Sequence, residues 1–325
     1  MQECPICKHA ESRPLLKWKS FTIYRCAHCG LIFADPMPSD AELMAFYQGF
    51  MFKAPTAEAI VTQTELRRVE LARLFGWAGV NLRQKRFLDY GGGTGIVFHT
   101  VSELGLEAYY QDLDESAKAF TKTHFGLQPE QIIEDVTQTA QHFDYILADN
   151  VIEHVKDPIP FVQRLADKLA PGGQLVIKTP HGGNTEAFFI PAVTLRDYFR
   201  NALKYNSFFA TLKAYFSRFW HCDPPRHLFS FTRKSFQCLM EQVEGARLEY
   251  EVDYYQIPPW TYSLSKQYFS KDKRLSLPVS VLVRIVLLPF VLGELLLIGV
   301  QQLLLKMRVL SPAGIILRVK RAKHV

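Results

Sequence analysis

A glycine-rich turn between a strand and a helix constrains the fold of this chain more than any other stretch. The residues RFLDYGGGTGIVFHTVSELG (86–105) predict a buried strand over Phe87–Tyr90, the turn, and a helix beginning near Thr94–Ile96. Glycine lets the backbone approach a ligand closely, and a helix N-terminus offers free N–H groups to the ligand's polar or charged end. The turn glycines are Gly91, Gly92, Gly93 and Gly95.

Strand and helix alternate after this turn. The segments EAYYQD, IIEDV, DYILA and QLVIKTP predict four further strands, and the last follows the helix of FVQRLADKLA and a Pro-Gly-Gly turn. A helix-rich stretch over about Ser39–Val80 precedes the glycine turn. Such alternation predicts an α/β fold, with a parallel sheet that carries helices on both faces.

The surroundings of the turn narrow the type of ligand. No Gly-Lys-Ser/Thr follows it, which excludes a phosphate-binding loop, and its glycines do not match the G-x-G-x-x-G dinucleotide motif. Asp112 ends the second strand about 20 residues later, where a carboxylate can accept both ribose hydroxyls of a nucleoside. Asp114 is the alternative, but it stands where a helix N-cap is expected.

Four cysteines near the N-terminus predict a zinc ribbon. They form two C-x-x-C pairs separated by 18 residues, namely Cys4 with Cys7 and Cys26 with Cys29. Two disulfides are the alternative, but a reducing cytoplasm disfavours them. The cytoplasm is the expected compartment, because the N-terminal residues do not show the basic leader and apolar stretch of a secretory signal. Because the four thiolates fill a tetrahedral zinc shell, the ion is predicted to be structural.

These motifs together carry a family resemblance. DYGGGTG, the acidic end of the second strand, FDYIL, NVIEHV and LAPGG resemble the class I S-adenosylmethionine-dependent methyltransferases. The cysteine pairs, CGLIFADPMPSDAELMAFY and DPPRHLFSFT resemble the small-molecule branch that includes ubiquinone-pathway and deoxysugar methyltransferases. The resemblance implies a seven-stranded Rossmann-like sheet, a lid insertion after strand five, and a last strand, GIILRVKRA, antiparallel beside strand six, RLEYEVDYYQI.

The resemblance also assigns cofactor residues. It implies that Asp89 and the turn Gly91–Gly95 hold the methionine moiety, Asp112 the ribose, Asp135 with Val136 the adenine edge, and that Asn150 lines the same crevice. One departure is Tyr90, at a position where the family often has an aliphatic residue or cysteine.

Two histidines are candidate bases, because methyl transfer to a hydroxyl requires removal of a proton. They are His154, one short turn beyond strand four, and His227, in the insertion; each could instead have a structural role in shaping the pocket or bracing a loop. Candidate substrate contacts are His181, Trp220 and Arg226, although aromatic residues at helical spacing more often pack helices. Glu153 beside His154 is not enough for a metal site, so no catalytic metal is predicted.

The C-terminal region is apolar and basic. RIVLLPFVLGELLLIGVQQLLL (284–305) is long enough to span a bilayer. From Lys266 onward the chain has 11 Lys/Arg and only two acidic residues, whereas the first 265 residues carry a net charge of −3. A single span would separate strand six from the last strand. We therefore expect a re-entrant or interfacial helical hairpin on an anionic membrane face, with a dimer interface or a core helix as the alternative.

The resulting functional hypothesis is O- or C-methylation of a small or lipid-linked acceptor, such as a polyprenyl-carried sugar or a quinone-like ring. The expected location is the cytoplasmic face of the cell membrane, as a peripheral or monotopic enzyme; no nucleic acid partner is expected, and a homodimer stays open. The alternatives are a non-catalytic adaptor and an RNA methyltransferase.

The sequence also predicts how the chain is divided. The predicted units are a zinc-ribbon-like module (1–38), a helical linker (39–85), the cofactor-binding core (86–183), the insertion (184–231), the end of the core (232–275), hydrophobic helices (276–311), and the last strand with a basic tail (312–325).

Overall fold

The structure, a computed structural model, describes residues 2–48, 53–189, 194–244, 248–256, 289, 292–293 and 296–323. Part of the predicted hydrophobic hairpin, at 276–288, 290–291 and 294–295, therefore lies outside the described residues. The strands are β1 (Ser12–Trp18), β2 (Phe21–Cys26), β3 (Ile32–Asp35), β4 (Arg86–Tyr90), β5 (Glu107–Gln111), β6 (Phe143–Asp149), β7 (Leu169–Pro180), β8 (Phe229–Ser230), β9 (Leu248–Tyr255) and β10 (Gly314–Arg321). The helices that matter here are α1 (Asp40–Gln48), α2 (Ala57–Phe75), α3 (Ile96–Glu103), α4 (Glu115–Phe125), α5 (Pro158–Asp167), α6 (Phe208–Phe216), α7 (Arg233–Met240) and α8 (residues 296–306).

The main sheet has the strand order β5-β4-β6-β7-β10-β9. Strands β5, β4, β6 and β7 run parallel, and β10 pairs antiparallel with β7 on one side and β9 on the other. The predicted α/β fold and the antiparallel last strand are confirmed. Since the carboxyl ends of β4, β5 and β6 meet at one edge, the residues that follow them are brought together.

The third predicted strand, IIEDV, is reduced to one bridge. Within the described chain, Ile132 pairs with Tyr110 at a single position. A 3₁₀ turn over Pro129–Gln131 precedes it, and Asp135 starts another turn by accepting a hydrogen bond from the Thr137 amide at 2.8 Å. The main sheet therefore has six described strands rather than seven, because turns on both sides leave too few residues for a ladder.

The N-terminal module is joined to the core by backbone pairing. Its sheet has the order β1-β2-β3-β8, and the fourth strand comes from the end of the insertion, more than 190 residues away along the chain. Buried cysteines of the module and Phe229, Phe231 and Phe236 belong to one hydrophobic cluster with strands of the main sheet. The module is thus continuous with the core rather than a separate domain.

Helix α8 lies against the insertion through its polar side. The buried Gln301 donates from Nε2 to Glu186 Oε1 at 3.1 Å, and the amide of Ala313 donates to Glu186 Oε2 at 2.7 Å. The opposite side is apolar and exposed, with Leu296 at 70% and Leu303 at 57% exposure. Among the described residues, no helix has both the length and the apolar character needed to cross a membrane.

The inserted last strand makes a direct prediction for stability. Leu317 of β10 is fully buried and stands opposite Ile177 and Val252, so Leu317→Ala should lower the free energy of unfolding by about 2–5 kcal/mol. Leu66→Ala, at a position 65% exposed on α2, is the matched control and should change it by less than about 0.5 kcal/mol. Urea denaturation measures both, and equal effects would contradict the central place of β10.

Candidate active site

The glycine turn forms a narrow cradle at the carboxyl end of β4. Gly91, Gly93 and Gly95 have φ values of 68°, 52° and 70°, which favour glycine. A Cβ on Gly92 would lie 2.5 Å from the Tyr110 ring, so that position excludes any side chain. Tyr110 also donates its hydroxyl to the Gly93 carbonyl at 2.8 Å, which fixes the turn against β5.

Asp89 lies beneath this cradle. It is buried, and its Oδ2 accepts a hydrogen bond from the Phe98 amide at 3.1 Å in the first turn of α3. Burial raises the pKa of Asp89 to about 7, and the Arg67 guanidinium opposes that rise. The carboxyl therefore links the end of β4 to the first turn of α3.

The two rival carboxylates after β5 have different partners. Asp112 directs Oδ2 at the Gly93 amide (2.7 Å) and Oδ1 at the Asp114 amide (2.8 Å). Asp114 caps α4, accepting hydrogen bonds from the amides of Ser116 and Ala117. Asp112 thus faces the glycine cradle, while Asp114 occupies the N-cap position that the sequence indicated.

A cavity of about 350 Å³ opens beside Asp112. Its lining includes Asp135 and Val136, the two residues expected to meet an adenine, together with Tyr90 and Arg164. Asn150 follows β6 with a φ of 56°, and its main-chain N–H donates to the Lys178 main-chain carbonyl at 2.9 Å. Gln111 and Leu113, on either side of Asp112, also line the cavity, and the glycine turn, Asp112 and the cavity are called the cofactor crevice below.

The two candidate bases form a pair. The rings of His154, which ends a 3₁₀ turn after β6, and His227, which precedes β8, have centroids 4.8 Å apart. His154 donates from Nδ1 to the Arg226 carbonyl at 2.7 Å, and His227 donates from Nδ1 to Asp223 Oδ1 at 2.7 Å. Burial, aided by the neighbouring His227, lowers the pKa of His154 to about 4, so that its imidazole is neutral at pH 7.

Glu153 completes this cluster from inside the protein. It is fully buried, and its Oε2 accepts a hydrogen bond from Thr179 Oγ1 at 2.9 Å. Among the described residues, Oε1 has no hydrogen-bond partner, and burial raises the pKa of this carboxyl to about 8. One ligand atom each from Glu153, His154 and His227 lies within 4.8 Å of the others, a two-imidazole, one-carboxylate set that suits a divalent cation. The sequence showed only two of these three residues side by side.

The three predicted substrate residues have different surroundings. His181 donates from Nδ1 to the Pro312 carbonyl at 3.0 Å, and its ring packs against Tyr254. Trp220 is fully buried in an aromatic cluster, which agrees with helix packing. Arg226 forms an ion pair with Asp223 at 2.8 Å beside His227. The substrate roles of these three residues stay predictions.

The four thiols near the N-terminus are placed for zinc. The Sγ atoms of Cys4 and Cys29 are 3.7 Å apart and those of Cys7 and Cys26 are 3.5 Å apart, and all four lie within 4.8 Å of one another. A Zn–S distance of about 2.3 Å puts tetrahedral sulfurs about 3.8 Å apart, which these thiols match. All six cysteines are free, so the disulfide alternative is not adopted.

Sequence reasoning missed an ionic network that joins α2 to the sheet. Arg67 contacts Asp149 at 2.8 Å, and Lys178 contacts Asp149 at 3.1 Å and Glu70 at 2.6 Å. Lys178 and Arg67 keep the pKa of the buried Asp149 below its usual value, against the desolvation that would raise it. The only sequence signal was the i,i+3 spacing of Arg67 and Glu70, which is too common to be informative.

Comparison with known proteins identifies the family of this chain. A family model described as "Methyltransferase domain" matches residues 62–244, more than half of the chain. The chain belongs to this methyltransferase family. The prediction of a class I S-adenosylmethionine-dependent methyltransferase is thereby confirmed at the level of the family and fold.

Individual relatives are more distant. The ubiquinone biosynthesis O-methyltransferase of Coxiella burnetii (strain Dugway 5J108-111) is 32% identical over 106 residues, 31% of this chain and 45% of the relative. That of Parvibaculum lavamentivorans is 34% identical over 100 residues, 29% of this chain and 40% of the relative. The match thus spans less than half the length of these curated relatives. The plantazolicin methyltransferase BamL, solved with a triazolic desmethylPZN analog and SAH, is 15% identical with a TM-score of 0.44, covering 88% of this chain and 92% of its own.

The contrasting roles of Asp112 and Asp114 can be tested by a pair of substitutions. Asp112→Ala should weaken binding of S-adenosylhomocysteine at least tenfold, because a carboxylate at the glycine cradle is lost. Asp114→Ala should instead lower the free energy of unfolding by about 1 kcal/mol through loss of the α4 cap and leave affinity within threefold. Calorimetric titration and urea denaturation measure the two quantities, and the reverse pattern would show that Asp114 is the ribose ligand.

Proposed function

We propose that the protein transfers a methyl group from S-adenosylmethionine to an oxygen or carbon of a small or lipid-linked acceptor. One close approach carries the proposal. Gly91 lies so near Val151, three residues before His154, that a Cβ on Gly91 would stand only 2.5 Å from Val151 Cγ2. The glycine cradle and the histidine pair therefore adjoin at the same sheet edge. A nucleoside cradle beside a proton acceptor is the arrangement that methyl transfer to a hydroxyl requires.

The cofactor would be held by residues of this edge. Asp112 would accept the ribose hydroxyls, Asp135 and Val136 would border the adenine, and the turn amides would approach the methionine moiety. Arg67 and Asp89, close enough for the Arg67 guanidinium to lower the pKa of Asp89, would face the carboxylate and the ammonium of that moiety. When bound, the cofactor supplies an electrophilic methyl group on sulfur.

His227 is the better candidate for the base. Its Nδ1 proton is held by Asp223, which fixes the tautomer and leaves Nε2 to accept a proton from the acceptor. The pKa of Asp223 is kept low, despite burial, by its hydrogen bond with His227 and by the charge of Arg226, so its carboxylate would stabilise the imidazolium that forms on His227. His154, neutral and bonded to the Arg226 carbonyl, would orient the loop that carries His227.

A membrane-borne acceptor is supported by two exposed apolar surfaces. Helix α6 exposes Phe208 (54%), Phe209 (80%) and Phe216 (66%), and α8 exposes leucines opposite its buried side. Lys213 on α6, and Lys306 and Arg308 at the end of α8, add positive charge. Apolar side chains flanked by basic residues are typical of helices that bind the surface of anionic bilayers. We propose the cytoplasmic face of the cell membrane as the working place, with a polyprenyl-carried sugar or a quinone-like ring as the acceptor.

Label transfer tests the activity and the base together. With S-adenosylmethionine carrying a labelled methyl group and a membrane lipid extract as acceptor source, the wild-type protein should move label into the lipid fraction. His227→Gln should lower that rate by about 10²–10⁴-fold, because proton transfer by a positioned base contributes about that factor. S-adenosylhomocysteine affinity should not change.

The control is His142→Gln, at an exposed histidine before β6. It should transfer label as the wild type does. No transfer into lipid or aqueous fractions by wild-type protein that binds the cofactor would contradict the enzymatic role and favour the adaptor.

Vesicle flotation tests the membrane surface. Binding to phosphatidylglycerol-phosphatidylcholine vesicles should fall at least tenfold in Phe208→Ser/Phe209→Ser and in Leu296→Ser/Leu303→Ser, since each buried side chain of this kind contributes about 1.5–3 kcal/mol. The matched control is Leu66→Ser/Val69→Ser, which removes equally exposed apolar side chains from α2. Equal flotation of all four proteins would overturn the membrane assignment.

A further inference from the structure

Leu228, the residue that follows His227, makes main-chain hydrogen bonds through both its amide and its carbonyl. The Leu228 amide donates to the Glu153 carbonyl at 2.8 Å, and the Leu228 carbonyl accepts from the Ala34 amide at 3.0 Å. Glu153 is the neighbour of His154, and Ala34 lies in β3 of the zinc-ribbon module. One residue therefore ties the histidine pair to the N-terminal module.

The same segment is attached to the loops that carry the cysteines. Thr232 donates from Oγ1 to the Cys29 carbonyl at 2.6 Å, and Gln242 donates from Nε2 to the carbonyl of Ile6, between Cys4 and Cys7. Just before Thr232, β8 pairs with β3, Phe229 opposite Phe33 and Ser230 opposite Ile32. The cysteine loops thus hold both ends of α7, and β3 holds the strand that leads from His227 to it.

The zinc-ribbon module also contacts the insertion about ten residues before His227 in the sequence. Arg25 of β2 is half-buried and donates to the carbonyls of Ser217 and Arg218. Residues 217–232 are therefore fixed by the module at their start, in β8 and at their end. His227 stands inside this stretch.

The glycine turn of the cofactor crevice is held by different contacts. Tyr110 fixes the glycine turn through its hydroxyl, and it belongs to a hydrophobic cluster with Phe87 and Phe98 that includes no residue of the zinc-ribbon module. If the zinc-ribbon module loses its ordered structure, the histidine pair should lose its position more readily than Asp112 does.

We propose that the zinc-ribbon module is a positioning element for the reaction: metal bound by its four cysteines holds β8, and through Leu228 and Thr232 sets the His154–His227 pair against Glu153. The residues match tetrahedral zinc in number, chemistry and spacing, and zinc would contribute only by fixing the cysteine loops. Thr232 is a positioning residue, since it acts through Cys29 and β8. This inference rests on the proposed function for its kinetic consequence, but its structural part does not.

Hydrogen exchange followed by mass spectrometry tests that structural part on the full-length chain. Stripping the metal with a chelator should accelerate exchange of residues 221–232 at least tenfold and leave residues 86–112, which contain the cofactor turn, within twofold. S-adenosylhomocysteine affinity should stay within threefold. Unchanged exchange at 221–232, or equal acceleration of both segments, would overturn the inference.

A substitution repeats the test with the metal in place. Thr232→Val removes the donor to Cys29, so exchange at 221–232 should rise and label transfer at saturating S-adenosylmethionine should fall at least tenfold, with KM for the cofactor within twofold. Thr232→Ser should restore both. Because Thr232 also caps α7, the control is Thr56→Val, which removes the corresponding cap of α2. An effect of Thr56→Val on 221–232 equal to that of Thr232→Val would count against the positioning role.

The two proposals fail in different ways. A protein that does not bind S-adenosylhomocysteine would disprove the methyltransferase activity, yet the exchange comparison would still decide whether metal holds β8. A protein that transfers methyl groups equally well with and without zinc would disprove the positioning role and leave the activity intact.

Discussion

Two main-chain hydrogen bonds of Leu228 join the three parts of the chain that form the candidate site. One bond reaches Glu153 in the core and the other reaches Ala34 in the N-terminal module. A hydrogen bond of this kind contributes only about 1 kcal/mol to stability, but strand pairing fixes register, and a slip of one residue would turn His227 to the opposite face. The geometry of the histidine pair therefore depends on a pairing between segments far apart in the sequence.

Burial then determines which groups at this edge are charged. Asp89 and Glu153 lie where desolvation raises the pKa of a carboxyl, and His154 lies where it lowers the pKa of an imidazole. Asp149, equally buried, keeps its charge because Arg67 and Lys178 surround it. The site thus combines neutral groups near the reacting centre with a compensated ionic network beside the cofactor crevice, and a ligand that brings charge would meet little water to screen it.

Much of this was visible in the sequence, because it depends on local patterns. The strand-turn-helix at 86–105 follows from a buried apolar run, four glycines and an amphipathic segment, and the structure confirms it. Asp114 as a cap and the four cysteines as one cluster are also confirmed, since capping and C-x-x-C spacing act over a few residues. The strand expected at 132–136 was wrong, because the turns on both sides of Ile132 outweigh its β-branched residues.

The sequence by itself determined the family, the glycine turn and the grouping of the four cysteines, because each depends on residues close together along the chain. Only the tertiary structure decided that Glu153 and His154 meet His227, and that β8 completes the sheet of the N-terminal module. These contacts join positions separated by tens to nearly two hundred residues, and no periodicity or short motif records such a separation. The physical reason is that long-range register is chosen by the packing of the whole core rather than by the preferences of any one segment.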